Sequence, residues 1–358
     1  MRWWWIAVSG LACSAQEGPT GSPTTVATPM PTPTTARVAD GEPTPTPRAS
    51  ASAAASAAPS DSFAGPGPIS AERAGQLLFA FAKQKTPSTC ARDDAGEAIR
   101  CLLSLRYAED QAARELVLGI YDQTGSVVGV EEGHTMDGGW RGKIRIVSEL
   151  PVGRHRRHLS WMAEAFEDFE RFFIGLEKAA GKKAGYAWRP LSIQFFRSVG
   201  RTTPSAYASD WRIGYNVSGS LHSSAAAVRE TLFHEIFHLN DRARGRWSEE
   251  VLTEDYDAIV SGCTTKQRTL STPCLAPFAP GDTMVRGGTF YAFQPGNGVW
   301  EYAAELAIRY YREHRDVLAG RKLTEPPFKC GPEPNARAYR GLADTFFGGI
   351  DLTPNCPK

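Results

Sequence analysis

The segment Ala225-Ala-Ala-Val-Arg-Glu-Thr-Leu-Phe-His-Glu-Ile-Phe-His-Leu239 contains the pentapeptide His234-Glu-Ile-Phe-His238, and its dense apolar content predicts a buried helix. Two histidines four residues apart project from one helix face, so both imidazoles can bind one metal ion. Glu235 stands beside them, within reach of a metal-bound water for which it can act as general base. The pattern predicts a catalytic zinc site with one ion per chain. The alternative is a buried helix with two structural histidines.

A catalytic zinc site needs a third protein ligand. The best candidates lie on a predicted helix at residues 299–311, where Glu301 and Glu305 are four apart and share one face. Apolar neighbours surround both, which favours a buried helix over a solvated acidic stripe. Glu254 and Asp257 lie closer to the histidines along the chain and remain rival third ligands.

The order of strands, a His-Glu-x-x-His helix and a later Glu-aromatic-x-Ala-Glu helix resembles the gluzincin metallopeptidases over residues 205–312. The chain is most similar to the branch that contains the lethal-factor catalytic domain and the Pro-Pro endopeptidases. This resemblance implies that Glu301 is the third zinc ligand and that Glu305 hydrogen-bonds a ligand histidine.

The same resemblance implies an α+β, zincin-like metallopeptidase domain. Such a domain has a small mixed sheet, an active-site helix with the His-Glu-x-x-His motif and a helical C-terminal lobe. In those families the last strand before the metal helix is a sheet edge that binds the substrate backbone as an added strand. That role falls to residues 211–218 here.

The chain departs from the pattern of this branch at two positions. Ala303 stands where the branch has an aromatic residue, and Gln294 stands where it has a tyrosine seven residues before the ligand. Tyr291 is the nearest tyrosine, and we predict that it stabilises the oxyanion in its place.

Residues 1–15 combine an early arginine, a short apolar run and small residues, which is typical of an export signal. Leu11-Ala12-Cys13 resembles the lipobox of bacterial lipoproteins, although Gly10 occupies the usual leucine position. The resemblance implies acylation of Cys13 and a lipid anchor in the cell envelope, with the outer membrane as the expected site. Cleavage after Ala15 and free secretion is the alternative. No apolar run is long enough to predict a transmembrane helix.

Residues 16–68 are rich in Thr, Pro, Ala, Ser and Gly and predict a disordered, semi-rigid tether. Residues 69–358 are long enough for a sizeable hydrophobic core and are predicted to form the folded domain.

The cysteines support export. Without Cys13, six remain: Cys90, Cys101, Cys263, Cys274, Cys330 and Cys356. An even number in loops of an exported protein predicts three disulfides, and proximity along the chain pairs them as 90–101, 263–274 and 330–356.

The net charge of +1 gives no indication of a nucleic-acid partner. A basic cluster at residues 154–158 is interpreted as a solvated loop, with a substrate or lipid-headgroup patch as the alternative. The sequence thus predicts an exported zinc-dependent endopeptidase acting on peptides or proteins. The alternatives are a catalytically degenerate zinc-binding protein and a structural surface lipoprotein.

A coarse pass along the folded part predicts helices at residues 70–85, 106–116, 160–179, 246–261 and 299–314. It predicts strands at residues 116–121, 127–130, 144–147, 191–196 and 211–217.

Overall fold

The computed structural model describes residues 65–138, 142–285 and 288–357, which form a mixed α+β domain. Its α-helices are α1 (Ala71–Leu78), α2 (Ala95–Arg106), α3 (Gln111–Thr124), α4 (Arg156–Ala180), α5 (Ala225–Ala243), α6 (Trp247–Gly262), α7 (Thr272–Leu275), α8 (Val299–Leu318) and α9 (Glu333–Phe346). Its strands are β1 (Val127–Val130), β2 (His134–Asp137), β3 (Lys143–Ser148), β4 (Ser192–Ser198), β5 (Ala206–Ser209) and β6 (Arg212–Asn216). The predicted signal at 1–15, with Cys13, and the tether as far as residue 64 lie outside the described residues.

The described strands form one curled sheet with the order β2-β3-β4-β6-β5, and β1 also pairs with β4. The central strand β4 is buried along nearly its whole length, and the polar Gln194 is buried in it beside Ile193, Phe195 and Phe196. It runs parallel to β1 and β6, with Val127 opposite Ser192 and Ser192 opposite Arg212. β5 pairs antiparallel with β6 and ends the sheet path.

The prediction that residues 211–218 form the edge of the sheet was wrong. Residues 211–218 contain β6, which pairs with β4 on one side and with β5 on the other. The edge is β5, because the two-residue turn at Asp210 and Trp211 returns the chain alongside β6. Both turn residues have positive φ, at 51° and 57°, which matches the right-handed twist that favours tight hairpins. β5 was missed because its four residues, Ala-Tyr-Ala-Ser, carry little strand propensity.

The strand predicted at residues 116–121 was also wrong, since these residues lie in α3. The Asp110 side chain caps this helix by accepting from the Ala113 amide at 3.0 Å. Buried Ala113, Val117, Ile120 and Thr124 recur at helical spacing and face the core. The helix predicted at 106–116 is in turn interrupted, because α2 ends at Arg106 and α3 begins at Gln111.

One large hydrophobic core lies between the sheet and three packed helices, α4, α5 and α8. The aromatic stripe of α4 supplies Phe169 and Phe172, whose rings pack edge-on against Phe233 of α5 and Tyr311 of α8. Phe233 and Tyr311 stack on each other with ring centroids 4.5 Å apart. Each fully buried aromatic side chain contributes about 2–3 kcal/mol, so this cluster determines how α5 and α8 meet.

The three cysteine pairs predicted from proximity are confirmed at disulfide distance: Cys90–Cys101, Cys263–Cys274 and Cys330–Cys356, with Cα atoms 5.4, 5.4 and 5.2 Å apart. The second bond closes the start of the long segment between α6 and α8. Within the described ranges, no helix has both the length and the apolar character that crossing a membrane requires.

Candidate metal centre

Helix α5 carries the His-Glu-x-x-His motif into the core, and it begins where the sequence indicated. The Ser224 side chain accepts a hydrogen bond from the Ala227 amide at 3.2 Å and caps the first turn. His234 and His238 lie one turn apart on the same face, with ring centroids separated by 4.7 Å. His234 is only 7% exposed, so its imidazole needs polar partners within the protein.

Helix α8 supplies those partners. The Glu301 Oε2 lies 3.0 Å from the Nε2 of His234 and 3.7 Å from the Nε2 of His238. The two Nε2 atoms are 3.1 Å apart. One ligand atom from each of the three residues therefore converges within 4.8 Å of the others, and the group could hold a metal ion. The structure brings together the three residues that the sequence predicted as metal ligands.

Glu305 approaches the same imidazole from the opposite side. Its Oε1 lies 3.4 Å from the Nδ1 of His234, while Glu301 faces the Nε2. The carboxylate is held in a tight space, since a Cβ added at Gly281 would lie 2.5 Å from the Glu305 Oε2. Gly281 is thus a site residue that sequence reasoning missed, and a glycine in a loop-rich stretch carries no local signal of such a contact.

The surroundings shift the pKa of His234 and of Glu301 in opposite directions. Burial lowers the pKa of His234, but the carboxylates of Glu301 and Glu305 outweigh it and raise the pKa overall. Burial raises the pKa of Glu301, but hydrogen bonds from His234 and His238 outweigh it and lower that pKa. The cluster therefore favours an ionised carboxylate facing a strongly basic imidazole when no other cation is present.

Glu235 lies in the wall of a cleft of about 380 Å³ together with His234, His238 and Glu301. Burial raises the pKa of its carboxyl group, the Glu301 charge adds to that rise, and the two histidines oppose it. Across the described ranges, its side chain has no hydrogen-bond partner, so it is free to bind a molecule in the cleft. A raised pKa suits a carboxylate that must take up a proton.

Tyr291 also reaches the site. Its hydroxyl donates to the Glu301 Oε2 at 2.9 Å, and its ring lies 5.9 Å from that of His234. Burial and the Glu301 carboxylate raise its pKa, so the hydroxyl stays protonated and remains a donor. Tyr291 therefore hydrogen-bonds a candidate metal ligand. That it stabilises the oxyanion stays a prediction.

The rival ligands lie elsewhere. Glu254 and Asp257 are exposed on α6, and neither belongs to the group that could hold a metal ion. The helix turn between them instead directs Tyr256 into the core, where it stacks on Phe293.

The sheet edge opens beside the candidate metal ligands. Ala206, Tyr207 and Ala208 of β5 border the same cleft, with the exposed Trp300 on the α8 side. Ala208 lies opposite Ile213, a core residue, and the small side chains on this strand let α5 approach it closely.

A larger groove of about 720 Å³ between α3 and α4 is lined by Arg154, Arg156 and Arg157 of the basic cluster. Its arginines mostly bind protein groups: Arg156 pairs with Asp110 at 2.8 Å, Arg154 bonds His155, and Arg157 lies over Trp161. The ligand group lies in the smaller cleft, so donor chemistry rather than cavity size identifies the candidate site.

Neither the scan against protein-family models nor the searches of curated proteins and of solved structures found a match to this chain.

Proposed function

We propose that this protein is a zinc-dependent endopeptidase in which His234, His238 and Glu301 hold the metal and Glu235 is the general base. The observation that carries the proposal is the convergence of two imidazole nitrogens and one carboxylate oxygen beside a free, buried carboxylate in an open cleft. Two histidines and a glutamate are a donor set found in catalytic zinc sites, which keep one position open.

The distances between the candidate ligand atoms are compatible with zinc. Zinc bonds to nitrogen and carboxylate oxygen are about 2.0–2.2 Å long, so tetrahedral ligand atoms lie roughly 3.3 Å apart. The three separations here are 3.0, 3.1 and 3.7 Å. Two imidazole nitrogens facing each other at 3.1 Å also need a shared cation or proton between them. A zinc ion at this position would supply Lewis acidity that acidifies water and polarises a peptide carbonyl.

The chain's own groups do the rest of the chemistry. Glu235 accepts the proton of the water that attacks the scissile carbonyl and then donates it to the leaving amine nitrogen. The Tyr291 hydroxyl donates a hydrogen bond to the oxyanion once it turns from Glu301. Glu305 holds the His234 ring through its Nδ1, which orients the imidazole and raises its basicity.

The free edge of β5 is the proposed binding strand for the substrate backbone. An extended peptide added along Ala206–Ser209 would pass the Glu235 carboxylate, since both border one cleft. This assignment replaces residues 211–218, whose backbone is already paired on both sides.

The substitution Glu235→Gln tests the mechanism. The variant should keep one zinc per chain and lose about 100-fold or more in kcat, because only the proton carrier is removed. His234→Ala and His238→Ala should lose both zinc and turnover. Zinc content by elemental analysis and cleavage of a peptide library are the two readouts.

Full activity in Glu235→Gln would refute the proposed mechanism. A chain without zinc or turnover would instead support a structural surface protein, and a zinc-loaded chain that binds but never cleaves peptides would be a degenerate peptidase.

We further propose that the protein is exported and anchored to the cell envelope through acylated Cys13. Three disulfides support export, because such bonds persist in oxidising compartments. Labelling with a fatty-acid analogue should mark the wild-type chain and not Cys13→Ser. An unlabelled, soluble mature form that begins at Gln16 would contradict the anchor and favour secretion.

A further inference from the structure

The cleft face of α5 continues beyond the candidate ligands. His234, His238 and Arg242 follow one another at intervals of four residues, which places their side chains along one side of the helix. Arg242 is exposed and borders the same cleft as both histidines and Glu235. Its guanidinium is therefore available to a molecule that occupies the cleft.

The other charged groups at this end of the cleft already bind protein groups. The Asp241 carboxylate accepts from the Ser248 amide at 2.8 Å and from the Ser248 hydroxyl at 2.7 Å. Arg246 pairs with Glu249 at 3.3 Å. By contrast, the Arg242 side chain forms no hydrogen bond or ion pair within residues 65–138, 142–285 and 288–357. It is the cleft-lining cation that these residues leave unpaired.

The dipole of α5 favours a cation in its last turn, where Arg242 lies, but it does not select the cleft face. A cation in the last turn of a helix stabilises the carbonyl end wherever it stands around the axis. Arg244 already bonds this end of α5, since its guanidinium donates to the Asn240 side chain and to the carbonyl of Gly185. A second arginine on the cleft face adds a cation where a substrate would lie.

We propose that Arg242 determines substrate specificity by binding a carboxylate of the bound peptide. The inference rests on the proposed endopeptidase function. The guanidinium presents a planar fork of donors that matches a carboxylate in two parallel hydrogen bonds. The carboxylate can come from an Asp or Glu side chain or, where the cleaved bond lies near the end of the peptide, from its C-terminus, and the chemistry of recognition is the same.

The position of that carboxylate follows from helix geometry. Arg242 lies four residues beyond His238, about 6 Å along the helix axis at 1.5 Å per residue. An extended peptide advances about 3.3 Å per residue. For a peptide extended along α5, this offset corresponds to about two residues from the bond that faces the candidate metal ligands.

Direct binding tests the inference without relying on turnover. The first probe set consists of fluorescent peptides with an amidated C-terminus, in which Glu, Gln or Lys is placed at each position in turn of a fixed apolar sequence. The second set has a free C-terminus and no acidic side chain. They are titrated against the zinc-loaded full chain carrying Glu235→Gln, alone and combined with Arg242→Gln or Arg242→Glu. Arg100→Gln is the matched control, because it removes an exposed arginine that pairs with Asp122 outside the cleft.

A peptide with Glu at one position should bind about tenfold more tightly than its Gln counterpart, because the charge-assisted hydrogen bond to Arg242 is partly exposed to water. Arg242→Gln should remove the difference, Arg242→Glu should shift the preference to Lys, and Arg100→Gln should change neither. A preference confined to the second peptide set would identify the terminal carboxylate as the source.

Equal binding of Glu and Gln peptides at every position, a preference that survives Arg242→Gln, or no binding at all would overturn the role of Arg242. The proposed function is judged separately, by cleavage of the same peptides with the Glu235-intact chain. Carboxylate-dependent binding without cleavage would refute the peptidase and leave the Arg242 site standing. Cleavage without a carboxylate preference would support the peptidase and overturn the role of Arg242.

Discussion

The Glu301 carboxylate contacts both candidate histidines and Tyr291. Its Oε2 accepts from the Tyr291 hydroxyl at 2.9 Å and lies 3.0 Å from the His234 Nε2. Glu305, one turn further along α8, reaches the other nitrogen of the same ring. The two glutamates thus contact different nitrogens of the His234 ring although they share one helix face, which fits the proposed roles of Glu301 as a ligand and Glu305 as a group that orients one.

Substitutions on α8 should separate these two tasks. Glu301→Ala should abolish stoichiometric zinc binding, because it removes one of three ligands. Glu305→Gln should lower zinc affinity or activity by about 10–100-fold, because only the orientation of His234 is weakened. Asp257→Ala is the matched control and should keep the metal, since that carboxylate is exposed on α6. Competition against a calibrated chelator measures all three affinities. Retention of zinc by Glu301→Ala with loss in Asp257→Ala would reverse the ligand assignment.

At the scale of elements, the site depends on how α5 and α8 meet. Besides the stack of Phe233 on Tyr311, a charged contact joins the helices through α4. Asp168 of α4 lies 3.7 Å from Arg229 of α5 and 3.1 Å from Arg315 of α8. These contacts hold the two helices that carry the candidate ligands against a common support, so residues 67 positions apart in sequence come within 3.0 Å.

Tyr291 and Gly281 lie on the segment between α6 and α8, and its early part is closed by the Cys263–Cys274 bond. This cross-link restricts the unfolded chain and limits the arrangements open to a segment with little regular structure. The segment reaches the site at two points, where Gly281 borders Glu305 and the Tyr291 hydroxyl donates a hydrogen bond to Glu301.

At the scale of the whole molecule, three buried histidines outside the candidate metal centre should make stability depend on pH. Burial lowers the pKa of His158, His222 and His314 from 6.5 to about 4 in each case. The contacts of His314 define a neutral ring: its Nδ1 donates to the Tyr310 carbonyl at 2.9 Å, and its Nε2 accepts from the Leu352 amide at 3.1 Å. A proton on the Nε2 would break the bond to the C-terminal segment.

The free energy of unfolding should therefore fall as pH drops from 6.5 towards 4, because the unfolded chain takes up protons that the folded chain excludes. Each histidine can cost up to about 3 kcal/mol across that window. Chemical denaturation at several pH values measures the slope. His314→Gln keeps a donor and an acceptor without a titrating ring, so it should flatten the slope, whereas the same change at the exposed His134 is the control. An equal slope in wild type and His314→Gln would contradict this reading.

The sequence alone determined the features that depend on short spacings. The four-residue intervals of His234–His238 and Glu301–Glu305 predicted which side chains share a helix face, and both helices are found. Cysteine proximity predicted the three pairs, since nearby cysteines lose least entropy on closing a loop. Arg242 has the same four-residue interval from His238, so the sequence also indicates that it shares a helix face with the two histidines. Its position in the cleft could not be predicted from the sequence.

Only the tertiary structure decided which elements became neighbours. Nothing local in the weak strand Ala206–Ser209 indicates that it would cover β6 and become the edge, because strand order is a long-range choice made by packing. The choice between strand and helix for 116–121 was likewise decided by burial against the core. The contact of Gly281 with Glu305 and the bond of Tyr291 to Glu301 exist because the segment between α6 and α8 folds back over the site. Sequence spacing carries information about one helix or one strand, whereas these contacts join segments whose separation in space is determined by the packing of the whole core.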